Sequence, residues 1–268
     1  LELGARKRRL ENSELNLQML KSCDSLKSLV LDGSTLTCEV LAEAAHGKLQ
    51  VTIAEECWRK IRATRAVVKH VIASGVAGYG ISTGVGSQKD HSVSAEEIAE
   101  YNARLVAAHA TRVPGPLLAA NRVRASLIVL ANQFATGFSG VSEELLRLVV
   151  DCINSDVMPE IDASGSVGAS DLVPLAQIAH WLLSSPEAKE NGIPHAKETL
   201  SLINCNAVTL AIGADALAEA QRLLAAFDLA AATALEGFRG NLDAISEQVN
   251  TVHRRSGQQL AARRMRAL

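Results

Sequence analysis

Aromatic residues are scarce: two Trp, two Tyr and four Phe make up 3% of the 268 residues. Strands of sandwiches and barrels draw on aromatic and β-branched side chains, so this poverty argues against an all-β fold. Cysteines are few and scattered. Cys23, Cys38, Cys57, Cys152 and Cys205 are odd in number and never stand in CxxC spacing. That excludes a disulfide framework and a cysteine zinc site, and reads as buried thiols in a reducing compartment. No His/Asp/Glu set has metal spacing either. Net charge is almost absent, 27 Lys and Arg against 29 Asp and Glu, which leaves no electrostatic case for nucleic acid or an acidic membrane. The basic clusters at Arg6 to Arg9 and Arg254 to Arg266 read as solvated helix faces. No apolar run is read as a membrane span and no signal peptide opens the chain, so a soluble, cytoplasmic protein is expected.

What is abundant is Ala and Leu, within an apolar share of 48%. That composition favours close-packed helices, in one large domain or two smaller ones. Helical patterning is expected from about Glu14 to Leu29, then a short strand and turn at Val30 to Gly33. Helices follow from Thr37 to Ala45 and, behind a capping box at Thr52 to Glu55, to Ala73. Gly75 to Val93 breaks the pattern. A second box at Ser94 to Glu97 opens a helix carrying His109, an apolar helix spans Leu117 to Phe134, and Ser142 caps one that stops near Asn154. From Lys197 to Leu235 the pattern is helical with hardly a break, about 50 Å at ~1.5 Å per residue, long enough to line a bundle.

Chemistry is concentrated in three places. Gly165-Ser166-Val167-Gly168-Ala169-Ser170-Asp171 is a run of small residues that gives way to an apolar helix through Leu183, with Asp171 as its expected N-cap. A helix N-terminus there could hold an electron-poor or anionic group, or the glycines could serve packing alone. Tyr79 lies between Gly78 and Gly80 in a glycine-rich loop that could present its phenol to a cavity. Asn204 and Asn206 flank Cys205 inside what reads as an apolar helix, where unpaired amides are costly to bury. Read singly, each is a packing or turn residue, and His109 a core histidine. Other templates fail. The Tyr79 loop is not GxGxxG, no P-loop Lys follows it, and Leu172 stands where a nucleophile elbow needs glycine.

Together the motifs resemble one family, the histidine and aromatic amino acid ammonia-lyases with their related aminomutases. Tyr79 to Gly86 is similar to its YGxxTGxG loop, and Ala108-His109-Ala110 to its SHA position. Gly165 to Ser170 followed by Asp171-Leu172-Val173-Pro174-Leu175 resembles GSVGASGDLxPLAH. Lys197 to Asn204 resembles KExLxLxN, and Ser256-Gly257-Gln258 a family turn. The likeness runs from about Leu29 to the end.

The resemblance implies a mainly α fold of the aspartase/fumarase-like superfamily. Its parts would be a lead-in at 1–30, a domain at 31–196 carrying the electrophile loop, and the start of a helical bundle at 197–268. It implies the electrophile methylidene-imidazolone (MIO), which the family makes from an Ala-Ser-Gly tripeptide by cyclisation and loss of two waters. In this sequence Ala169 and Ser170 match the first two positions. Tyr79 matches the base that takes the β-proton, for which a phenol of ordinary pKa about 10 must be lowered. Asn204 matches the residue holding MIO and the substrate amine, and His109 and Gly86 fall at substrate-binding positions. The reaction implied is loss of ammonia from histidine or an aromatic L-amino acid. His109 leans toward histidine, with a 2,3-aminomutase or a degenerate, non-catalytic helical subunit as alternatives. The small-molecule substrate and a homotetramer are the implied partners.

Two departures stand out. The glycine that closes the family's ring is absent, and Asp171 follows Ser170 directly; a literal Ala163-Ser164-Gly165 lies upstream, out of register. The family's later half, with its carboxylate-binding Arg, a further Tyr and Gln and a catalytic Glu, has no counterpart in this sequence.

Overall fold

Two short strands and eleven helices are described by a computed structural model that covers residues 28–268 apart from 48, 95, 113, 156, 253 and 254. The expected lead-in helix falls outside the described residues, except that Ser28 and Leu29 belong to a strand. Strand β1 (Ser28–Leu31) pairs in parallel with β2 (Gln50–Ile53), Leu31 facing Ile53 in register. Parallel neighbours need a crossover, and α1 (Cys38–His46) supplies it. Thr37 caps α1 by accepting from Val40 N–H, and Gly47 ends it as expected.

The capping box expected at Thr52 to Glu55 does not form. Thr52 and Ile53 are held in β2, and α2 (Glu55–Ala73) starts behind Ala54 with no side-chain cap. Sheet pairing has claimed the residue that local pattern assigned to the helix. α3 (Ile98–His109) begins after a turn in which Glu97 accepts from Ser94 N–H. Then come α4 (Ala120–Ala135) and α5 (Glu143–Asn154), the latter capped by Ser142 as expected.

α6 (Leu172–Leu183), the short α7 (Pro186–Glu190), α8 (Glu198–Ile203) and α9 (Ala207–Gly237) complete the helical frame. The unbroken helix expected from Lys197 is in fact two, parted at 204–206. Asn204 leaves helical geometry at φ −103°, ψ 63°. The carbonyls of Ile203 and Cys205 serve donors from the 170–171 segment instead of the next helical turn. The run Glu198–Gly237 is nevertheless long and apolar enough, by length and composition, to cross a membrane. This corrects the expectation that no apolar run reaches that length. A 3-10 turn at Leu242–Ile245 and helices α10 (Glu247–Val252) and α11 (Ser256–Ala267) follow.

The described residues divide into two compact units, one through Ala216 and one from Leu217 to Leu268. The first holds a core centred on α4, whose Leu127, Ile128, Leu130 and Phe134 are almost fully buried. α1 and α5 pack on α4, while α3 packs on both α6 and α8. Buried Arg124 ties ends together by donating to the carbonyls of Ala44, Leu49 and Ile153. In the second unit Arg264 pairs with Asp228 at 2.6 Å.

Candidate active site

The site is organised by the break between α8 and α9. Ser170 is buried, and its hydroxyl donates to Ile203 O at 2.6 Å. Asp171 N–H donates to Cys205 O at 2.9 Å. The expected role of Asp171 as a local N-cap is corrected: it occupies that position before α6 but makes no capping bond there. Its fully buried carboxylate reaches across to α9 and accepts from Thr209 N–H at 2.7 Å and Thr209 Oγ1 at 2.6 Å. Four hydrogen bonds, all involving one of two consecutive residues, therefore sew the small-residue loop to the α8–α9 corner. The loop can turn this sharply because Gly165 and Gly168 adopt φ +105° and +82°.

The same corner receives the tyrosine loop. Gly80 has φ +63°, and a Cβ there would overlap Leu200 Cδ2 on α8. Backbone is thus pressed directly on the helix that ends at Asn204. Tyr79, next to Gly80, is half exposed, and its phenol oxygen accepts from Gly86 N–H at 3.1 Å. Gly86, at φ +58°, opens a 3-10 turn at Gly86–Gln88. Tyr101 from α3 holds the adjacent amide by accepting from Val85 N–H at 3.0 Å. Two tyrosines grip one turn.

Asn204 is exposed and is among the residues lining a cleft of about 330 Å³ between the end of α4 and α8. Ala169 is exposed beside buried Ser170. His109 is the last residue of α3, and its Nδ1 lies 2.8 Å from Leu105 O. A carbonyl only accepts, so Nδ1 carries a proton and Nε2 is the other ring nitrogen. No hydrogen bond among the described residues joins His109 to Tyr79, Ser170 or Asn204. α3 does pack on both helices that flank the corner.

Three participants escaped the sequence reading. Leu200 is the surface against which the tyrosine loop rests, Tyr101 is the second clamp, and Thr209 is the partner of Asp171. Leu200, a leucine of the Lys197 to Asn204 motif, and Tyr101, the second of two tyrosines, carried a signal; Thr209 carried none. A further clamp steadies the entry to the loop. Asp162 N–H donates to Gln177 Oε1, Gln177 Nε2 donates to Asp162 and to Thr111 O, and Arg112 pairs with Asp162 at 3.1 Å.

The residues at 169–171 do not fit MIO. Ring closure needs the nitrogen of the third residue to attack the Ala169 carbonyl, and here that N–H is given to Cys205 O. The third residue also bears a Cβ and a buried carboxylate fixed on Thr209, and the Ser170 hydroxyl that would leave as water is held by Ile203 O. The upstream Ala163-Ser164-Gly165 begins in extended pairing, Ala163 N–H donating to Pro116 O. A Cβ on Gly165 would lie 2.7 Å from Val173 Cβ.

The candidate site is thus a glycine-braced tyrosine loop and a small-residue loop that meet on one helix end within a mainly helical frame. The family profile described as aromatic amino acid lyase matches residues 36–268, and the chain belongs to that family. It is 33% identical over 261 residues to the histidine ammonia-lyase of Caldanaerobacter subterraneus subsp. tengcongensis, covering 91% of this chain and 51% of that protein. Among solved structures it resembles the histidine ammonia-lyase of Trypanosoma cruzi, with a TM-score of 0.79 at 28% identity over 89% of this chain and 49% of that one. It also resembles the tyrosine aminomutase of Streptomyces globisporus, with a TM-score of 0.82 at 26% identity over 90% and 48%. The chain spans about half the length of the curated relatives it matches.

Proposed function

We propose that the protein is a carbon–nitrogen lyase that releases ammonia from histidine or an aromatic L-amino acid, leaving the α,β-unsaturated acid. The observation that carries this is the convergence of the Tyr79 loop and the Ser170–Asp171 segment on the α8–α9 corner at Asn204. Tyr79 is the base. Its oxygen removes the β-proton, the C–H pair becomes the Cα=Cβ bond, and the amine departs with the Cα–N pair. Gly86 N–H fixes that oxygen in place. Asn204 receives the substrate amine through its exposed amide, and His109 Nε2 recognises the side chain. Such a site is completed in a homotetramer, with residues from beyond this sequence.

The amine is a poor leaving group, and 169–171 as they stand supply no electrophile to draw it away. That favours a second reading, a subunit that binds an amino acid without turning it over. One experiment separates them. The full-length protein, and the same protein with glycine inserted between Ser170 and Asp171, are incubated with histidine, tyrosine and phenylalanine and followed in the ultraviolet. Urocanate, coumarate or cinnamate from the native protein supports the lyase. Product from the inserted form alone supports the binding subunit, and a β-amino acid supports the 2,3-aminomutase. No product from either form contradicts the lyase reading.

A further inference from the structure

The loop that carries Tyr79 satisfies its polar groups mostly from within. Thr83 N–H and Oγ1 donate to Gly78 O, Gly84 N–H to His91 O, and Val93 N–H to Ser82 O. Among the described residues, one hydrogen bond ties residues 76–93 to any other part of the chain. It is the 3.0 Å bond in which the Tyr101 phenol oxygen, on α3, accepts from Val85 N–H.

That bond lies next to the one on the base. The N–H that Gly86 gives to the Tyr79 oxygen belongs to the peptide plane joining Val85 to Gly86. Gln88 N–H holds the carbonyl of that plane at 3.1 Å from within the loop, and Tyr101 holds the other side of Val85 from outside it. Gly86 itself resists little. It stands at φ +58°, with nothing within 4 Å of where a Cβ would be, and glycine has the freest backbone. The contact of Gly80 with Leu200 limits how near the loop comes to α8, but it lacks the directionality of a hydrogen bond.

α3 is a firm base for such a tie. Asn102, next to Tyr101, is buried and donates to His195 O at 3.3 Å. Val106, one turn after Asn102, is buried too, and the helix packs on α6 and α8. His109 ends the same helix, about 12 Å beyond Tyr101 at ~1.5 Å per residue. One rigid element therefore carries both the tie to the base and the histidine assigned to recognition.

We propose that Tyr101 is a positioning residue for Tyr79: its phenol oxygen, acting through Val85 and Gly86, sets where the Tyr79 oxygen stands relative to the substrate's β-carbon. The proposal rests on the lyase reading for what Tyr79 does there. That Tyr101 fixes the Tyr79 phenol does not depend on that reading.

Tyr101→Phe, Tyr79→Phe and the double variant test this, each made in the full-length protein and in the form with glycine inserted between Ser170 and Asp171. Tyr101→Phe deletes one oxygen from a half-buried ring, so Tm should fall by no more than about 4 °C. In whichever form turns over, it should lower kcat about tenfold and leave KM within about twofold, as a displaced base does and a merely loosened fold does not. In the Tyr79→Phe background it should cost less than about twofold more, because both act through one phenol. Fluorine NMR of protein labelled with meta-fluorotyrosine needs no turnover. The Tyr79 resonance, identified by its loss in Tyr79→Phe, should shift or broaden in Tyr101→Phe. An unmoved Tyr79 resonance overturns the proposal, as does an unchanged kcat, or a full tenfold loss that persists without the Tyr79 hydroxyl. No turnover by either form fails the lyase reading alone, and the fluorine spectrum then decides whether Tyr101 fixes the phenol.

Discussion

Replacing Asp171 by alanine removes the longest-range support of the small-residue loop while sparing the backbone bond from residue 171 to Cys205 O. Two hydrogen bonds to a buried carboxylate are lost, from Thr209 N–H and Thr209 Oγ1. Bonds to a charged group contribute about 1.5–3 kcal/mol each. Thr209 is exposed, so its donors can recover water, and the lower end applies. The expected loss is about 3 kcal/mol, or about 6–12 °C in Tm for a unit of this size. Circular dichroism melts at neutral pH measure it. Thr209→Val should lose about half as much, and the double variant little more than Asp171→Ala alone, because both act on one interaction. A Tm drop below about 2 °C for Asp171→Ala would refute the clamp.

Gly80→Ala should lower stability by about 2–4 kcal/mol, from left-handed backbone strain and the clash with Leu200, and loosen the Tyr79 loop, seen as faster limited proteolysis near residue 80. Tyr79→Phe should lower turnover by about 10²–10⁴-fold in whichever form of the protein turns over. It should change stability by no more than about 1 kcal/mol, since it loses one bond at a half-exposed site. Burial raises the pKa of Asp215, but hydrogen bonds and charges from Arg122 and His46 outweigh it and hold the carboxyl below its ordinary value. That stability is present above the unfolded pKa of about 3.9 and lost as pH falls through the lower folded value. Arg122→Gln should therefore lower Tm at neutral pH and hardly change it at strongly acid pH; an equal drop at both would contradict the assignment.

The sequence showed the site's parts more readily than their joints. Helices with local caps, such as those behind Thr37 and Ser142, were legible because the cap and its partner lie three residues apart. Thr52 misled because a strand partner far along the chain outbid the local box. The long helix from Lys197 misled for the same reason, since its break depends on donors at Ser170 and Asp171 that no window around Asn204 contains. Tyr79, Gly86, Ala169, Ser170, His109 and Asn204 could be named as candidates from motif order. That Leu200 links the tyrosine loop to α8, and that Asp171 reaches Thr209, are long-range contacts without periodicity to betray them.

The most direct test is the intact mass of the purified protein. Ser170 and Asp171 locked onto Ile203, Cys205 and Thr209 predict a mass equal to that of the unmodified sequence, and the mass of two waters less only after glycine is inserted between them. A native protein already lighter by two waters would show that the ring closes in spite of these bonds, and would contradict the account.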